Sequence, residues 1–269
     1  MSQENLSAKA AKAAAAAARQ EAAAIEQKRQ RKIRIIGGIV VVIVMSALIA
    51  IPLLSKQDSS TPTDSALPTG VTSDTYGVKV GPAWAAVDAD KVPMLQLWED
   101  FQCPACGDFE SASGAALKKL IDAGKVRVEY RPTIFLDKKL VAQNTAAGNP
   151  NSSQRATMAF GCAVDANSAE SFHAGVFAAQ PATEGGGYSN DDLSAIAESS
   201  GITGDALTAF NDCLSSEKYA GWVSNSYAAF DSEGVSSTPT GILNGQEITG
   251  DVLFDPAKLT AAIEAAVKK

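Results

Sequence analysis

The stretch WEDFQCPACGDFE, Trp98 to Glu110, sets Cys103 and Cys106 one helical turn apart behind an acidic, aromatic approach. Just upstream, VPMLQLW (Val92–Trp98) is a short apolar run and reads as a buried strand. Pro104 suits the first turn of a helix, because its missing N–H would have no helical partner there. Leu117, Leu120 and Ile121 follow at helical spacing, which predicts one helix from Pro104 to Ala123, stopped by Gly124. KVRVEYR (Lys125–Arg131) alternates and is rich in valine, so it is a second strand. The frame is β-α-β, with the cysteine pair at the strand-to-helix corner.

Such a pair can grip a metal, staple a loop or move electrons. A structural zinc site uses four Cys or His ligands, usually as two close pairs. This chain has four cysteines and one histidine, His173, and its other cysteines, Cys162 and Cys213, are far apart in sequence. Zinc is therefore poorly supported, and no metal is expected. At a helix start, by contrast, unpartnered N–H groups and the helix dipole favour a thiolate at Cys103 and lower its pKa. Cys106, one turn along, is placed to close or resolve a disulfide. We expect an exposed attacking Cys103 and a more buried resolving Cys106, exchanging with other proteins through a mixed disulfide.

The charge is unevenly spread. Residues 1–34 carry eight Lys/Arg against three Glu, in a chain whose net charge is −7. The remainder is thus acidic, which argues against nucleic acid as the main partner. Residues 35–54, IIGGIVVVIVMSALIAIPLL, hold no charge and are long enough to cross a bilayer as a helix. The basic flank QKRQRKIR (Gln27–Arg34) should stay cytoplasmic, so residue 55 onward faces out. A cleaved signal peptide is the competing reading. The basic lead is long for one, and Leu48 spoils the small-residue cleavage pattern at Ala50, so an uncleaved anchor is favoured. Either way the body lies where disulfides persist. The alanine-rich tract of residues 8–28 reads as a solvated, partly helical tail. Residues 55–75, rich in Ser, Thr, Pro and Asp, read as a flexible linker.

Residues 76–269 form the folded body. From about Leu140 to Ser232 the patterns are helical and suggest about five helices, one opened by Ser189 with Asp192 in a capping-box-like start. TGILNGQEIT (Thr240–Thr249) carries Asn244-Gly245 between two extended runs, a hairpin signal. Asp255 and Pro256 then open a final helix. Pro239, in SSTPTGI (Ser236–Ile242), sits oddly at the start of a strand. A cis Thr238–Pro239 bond would turn the chain sharply and leave backbone groups for an extended substrate; an ordinary trans turn is the alternative.

Taken together, DFQCPACGDFE, the returning GVSSTPTGILNG and the helical block between them resemble the DsbA-type thiol-disulfide oxidoreductases, and in particular the membrane-anchored DsbA-like proteins of actinobacteria. The resemblance covers nearly all of residues 76–269. It implies an α/β fold, a thioredoxin fold (76–138 and 233–269) with an inserted helical domain (139–232), preceded by one transmembrane helix. It implies that Cys103 is the nucleophile, that Cys106 resolves, and that Pro239 is cis with Thr238 beside it. It implies further that the protein oxidises reduced, exported proteins without a cofactor and is reoxidised by a quinone-linked membrane thiol oxidase. Two departures bear on this. The dipeptide between the cysteines is Pro104-Ala105, where relatives often have a histidine, so Cys103 should be less acidic and the couple less oxidising. Relatives also often have an acid six residues before the first cysteine, where this chain has Leu97. Glu99 and Asp100 read as a solvated acidic rim, with a role in moving protons as the alternative.

Cys162 and Cys213 fall on helices of the insertion; this placement and the resemblance favour a structural disulfide between them, with two buried free thiols as the alternative. His173 reads as a packed or surface histidine. Trp98 reads as core, and Phe101 as the border of a hydrophobic peptide-binding surface. Three functions remain in competition: a thiol oxidase, an isomerase or reductase on the same scaffold, and a chaperone-like binding module whose cysteine pair is only structural.

Overall fold

The computed structural model describes residues 65–86 and 88–267. The expected tail (1–34), membrane helix (35–54) and first half of the linker lie outside the described residues. Among the described residues no helix is long and apolar enough to cross a membrane.

Five strands form one sheet: β1 (Val78–Val80), β2 (Met94–Glu99), β3 (Arg127–Pro132), β4 (Thr240–Leu243) and β5 (Gln246–Ile248), in the order β1-β3-β2-β4-β5. β2 and β3 run parallel, as the β-α-β reading requires, with Leu95 opposite Val128 and Leu97 opposite Tyr130. β4 returns antiparallel to β2, setting Thr240 opposite Trp98. β2 is the central strand, and its Leu95, Leu97 and Trp98 are fully buried, as expected for a strand covered on both faces. β1 was not legible beforehand, because three residues are too few for alternation to show. The β4–β5 hairpin turns through Asn244 (φ 50°) and Gly245 (φ 82°), the left-handed pair that a two-residue loop needs.

The helix expected as Pro104–Ala123 runs in three pieces: α1 (Pro104–Phe109), a π-helical turn (Glu110–Gly114) and α2 (Ala115–Asp122). Spacing of apolar residues does not register a π-turn, which adds one residue within a continuous helical path. Ser113 in this turn donates to the Leu253 carbonyl (2.8 Å). At Gly114 a Cβ would come within 2.6 Å of Glu110 Oε2, so the turn and the glycine go together.

All described strands lie outside residues 139–232, and that block is helical. After α3 (Phe135–Lys139) come α4 (Val141–Ala146), α5 (Ser152–Asp165), α6 (Ala169–Ala178), α7 (Asn190–Ser199), α8 (Asp205–Ser215) and α9 (Ala220–Ser232). The short α4 is the one beyond the expected set. α5 is buried along most of its length, so it is the axis of the insertion. Ser189 and Asp192 form a full capping box on α7. Cys162 of α5 is bonded to Cys213 of α8. After α10 (Gly250–Leu253), Asp255 caps α11 (Pro256–Ala265) by accepting from the Ala257 and Lys258 amides.

The linker reading does not hold from Ser65 onward. Asn225 Nδ2 donates to Ser65 Oγ (3.0 Å), and the Thr69 amide and hydroxyl donate to Asp165 (3.0 and 2.8 Å). Val71 is buried. Small polar side chains make these bonds, and hydropathy patterns do not record them.

Candidate active site

Cys103 caps α1 with an extended backbone (φ −73°, ψ 116°). Its carbonyl accepts from the Cys106 amide (3.0 Å) and the Gly107 amide (3.2 Å), which fixes the first turn. Its thiol donates to the Thr238 carbonyl (3.4 Å), and the Thr238–Pro239 bond is cis. The structure therefore brings Cys103, Cys106, Thr238 and Pro239 to one place, as the sequence reading grouped them. It joins Cys162 and Cys213 elsewhere.

The two thiols are pushed in opposite directions. Cys103 is lowered to about 6, first because the Cys106 thiol donates to it. Burial opposes this, and the Thr238 hydroxyl and the Cys106 and Ala105 amides add to the lowering. The Thr238 hydroxyl has no other partner, so it is free to turn toward a thiolate that can no longer donate to the Thr238 carbonyl. Burial pushes Cys106 well above its ordinary value, and its bond to Cys103 adds to that. Both cysteines are free thiols in this structure. The polarity is as expected, but the exposure is not: Cys103 is only 7% exposed and Cys106 0%.

Glu99 and Asp100 are not a solvated rim; they are 4% and 0% exposed. Glu99 shares its face of β2 with Leu95 and Leu97, so strand parity carries it inward. Its Oε2 lies 2.9 Å from His173 Nε2. Of the two readings for His173, packed or surface, the structure shows the packed one: it is buried and stacks on Tyr130 at 3.9 Å between ring centroids. Burial raises the Glu99 carboxyl well above the ordinary range, with the nearby Cys103 sulfur adding to it, while burial lowers His173. Glu110 is pushed up to about 7 by burial and then by Glu99.

Asp100 anchors the loop instead. It accepts from Ser153 Oγ (2.6 Å) and from the Gln102 (2.9 Å) and Leu136 (3.0 Å) amides, yet burial still pushes it up to about 7. Phe101 does not border a surface: it is 2% exposed and packs with Phe160, His173 and Phe177. Trp98 is core as expected, with the Arg131 guanidinium 4.1 Å from its ring centroid.

Gln180, just past α6, is the residue the sequence reading missed. Its Nε2 donates to the Cys103 carbonyl (2.9 Å) and to the Phe101 carbonyl (3.1 Å), and Tyr188 Oη also donates to the latter (3.1 Å). The insertion thus holds the redox corner by its main chain. A glutamine 77 positions away from Cys103 carries no sequence signal of that contact. Gln180→Ala should cost about 1–2 kcal/mol, since two buried carbonyls lose a donor. Urea denaturation checks this, and an unchanged midpoint would show that the bonds do not hold the corner.

A dithiol with one sulfur primed and one suppressed, on a thioredoxin-type sheet with a helical insertion, defines a thiol-disulfide oxidoreductase. Comparison with known proteins agrees. Residues 88–265 match the thioredoxin family profile. Oxidised DsbA from Mycobacterium tuberculosis is 30% identical, with a TM-score of 0.56 over 72% of this chain and 93% of that one. The reduced disulfide bond oxidoreductase DsbG from the same organism is 29% identical, with a TM-score of 0.54 over 72% and 88%. MdbA, a thiol-disulfide oxidoreductase from Actinomyces oris, shares the fold at 21% identity, with a TM-score of 0.62 over 78% and 96%. No match was found among curated proteins. The chain belongs to the thioredoxin family, among its DsbA-like thiol-disulfide oxidoreductases.

Proposed function

We propose that this protein is an oxidase that donates the Cys103–Cys106 disulfide to reduced, exported proteins outside the cytoplasm. The observation that carries the reading is the split between the two thiols, with Cys103 at about 6 and Cys106 driven upward. A stabilised Cys103 thiolate favours the reduced enzyme, so the disulfide is readily given up. No cation from the Pro104-Ala105 dipeptide supports that thiolate; the Cys106 thiol, the Thr238 hydroxyl and the helix-start amides do.

In the first step a substrate thiolate attacks Cys103 Sγ. The Cys103–Cys106 bond breaks, and Cys106 leaves as a thiolate that takes up a proton. In the second step another substrate thiolate attacks the substrate sulfur of the mixed disulfide, and Cys103 leaves as a thiolate. The substrate is oxidised by two electrons and the enzyme dithiol carries them away. Thr238, beside Pro239, offers main-chain groups at the sulfur for an extended substrate segment. Reoxidation would fall to a quinone-linked membrane thiol oxidase. Residues 35–54 would anchor the chain once through the cell membrane, with the N-terminus cytoplasmic.

Two measurements test this. In intact cells, acid quenching followed by alkylation should find the Cys103–Cys106 pair mostly oxidised. A mostly reduced pair would mean an isomerase or reductase. Cys106→Ser should accumulate mixed disulfides between Cys103 and exported proteins, and none would form if the pair were merely structural.

A further inference from the structure

Three side chains that the exchange steps do not use converge near the dithiol: Glu99 at the end of β2, Glu110 in the π-turn and His173 on α6. One donor atom from each lies within 4.8 Å of the other two. Glu99 Oε1 and Glu110 Oε1 are both buried without a hydrogen-bond partner, and Glu99 is only 4% exposed. Orphaned carboxylate oxygens away from water are costly, so such a pair points to something that satisfies them. Among the described residues His173 is the only basic side chain in an ion-pair contact with either carboxylate. Lys118, on the same cavity, is occupied by Asp122 (2.7 Å) and lies 3.9 Å from Glu170.

The cluster opens on a cavity of about 390 Å³ that Glu110 and His173 line together with Gly107, Lys118, Glu170 and Phe177. A small hydrated ion has a way in. The π-turn is what brings Glu110 here, and Gly114 leaves the space that its carboxylate needs, since a Cβ there would sit 2.6 Å from Oε2. Turns of this kind recur at functional positions in helices.

We propose that Glu99, Glu110 and His173 form a binding site for a divalent first-row transition-metal cation, with zinc the best match. One imidazole and two carboxylates from three separate elements, with a side facing the cavity that Glu110 and His173 line, are a donor set that zinc accepts. The inference stands apart from the redox reading, because neither cysteine is a ligand.

The test uses the full chain in detergent, stripped with a chelator and with the Cys103–Cys106 disulfide formed, so that no thiol can ligate. Calorimetry should show one zinc ion bound per chain. Glu110→Gln should weaken that binding by about tenfold or more, and Glu184→Gln, at an exposed position, should leave it unchanged. Cobalt should give visible ligand-field bands without a sulfur charge-transfer band, which needs no variant and so does not depend on Glu110→Gln folding. The proposal is overturned if neither ion binds saturably, if Glu110→Gln binds zinc as the parent does, or if binding appears only in the reduced protein with a sulfur charge-transfer band.

Discussion

Cys103→Ser should leave the protein folded and reduce thiol–disulfide exchange to the spontaneous background, because a serine hydroxyl does not ionise in the working range and forms no mixed disulfide. The substitution is nearly isosteric at a site that is 7% exposed, so the loss is chemical. The parent protein should show the matching pH signature. With Cys103 at about 6, its alkylation rate should be half-maximal near pH 6 and close to its plateau at pH 7. Cys106 should stay silent throughout, since burial keeps its thiol protonated. Stability should follow the same group. A thiol depressed from 9.0 to about 6 means that the unfolded chain binds one more proton between those values. Relative to Cys103→Ser, the dithiol form should therefore gain about 1.4 kcal/mol for each pH unit in that window. The contribution is complete above pH 9.0 and is lost as pH falls through about 6. Urea unfolding of the reduced protein at several pH values measures it. Cys103→Ser should lack the slope, and an identical slope in both proteins would remove the thiolate from the account.

The dithiol corner could be read from residues 92–131 because each of its parts is a local signal: an apolar run, a proline at a helix start, helical spacing, an alternating strand. The hairpin at Asn244-Gly245 and the Asp255 cap are local in the same sense. What surrounds the sulfurs is not. Glu99 meets His173 across 74 positions and Gln180 meets Cys103 across 77, and both partners come from the insertion, whose docking no local pattern records. Glu99 carries a local signal of its own: Leu95, Leu97 and Glu99 alternate, and a carboxylate in phase with two core leucines belongs to the core face. Phe101 is ambiguous in sequence for a related reason. An aromatic beside a reactive cysteine suits a binding surface as well as a core, and only the arrival of Phe160, His173 and Phe177 decides between them. The π-turn escaped because apolar spacing on either side of it still reads as one helix.

Replacing both Cys162 and Cys213 with serine should destabilise the protein by about 4 kcal/mol, the chain-entropy value for a bridge between residues 51 positions apart. That is a large share of a domain's stability, which is on the order of 5–15 kcal/mol. The bridge ties α5 to α8 and encloses α6 and α7 between them. α6 carries His173 and Phe177, and Gln180 follows directly after it, so the segment whose freedom the bridge limits is the one that covers and holds the redox corner. The loss should therefore reach the active site without touching it. In urea below the main transition, Cys106 of the double variant should become alkylatable while the parent's remains protected, because local opening of the insertion exposes a sulfur that is otherwise 0% accessible. The double variant is the informative one, since a single serine would leave a free thiol ready to mispair with Cys103. A double variant that unfolds within about 1 kcal/mol of the parent, with Cys106 still protected, would show that α5 and α8 are held by packing alone and that the bridge does not guard the dithiol.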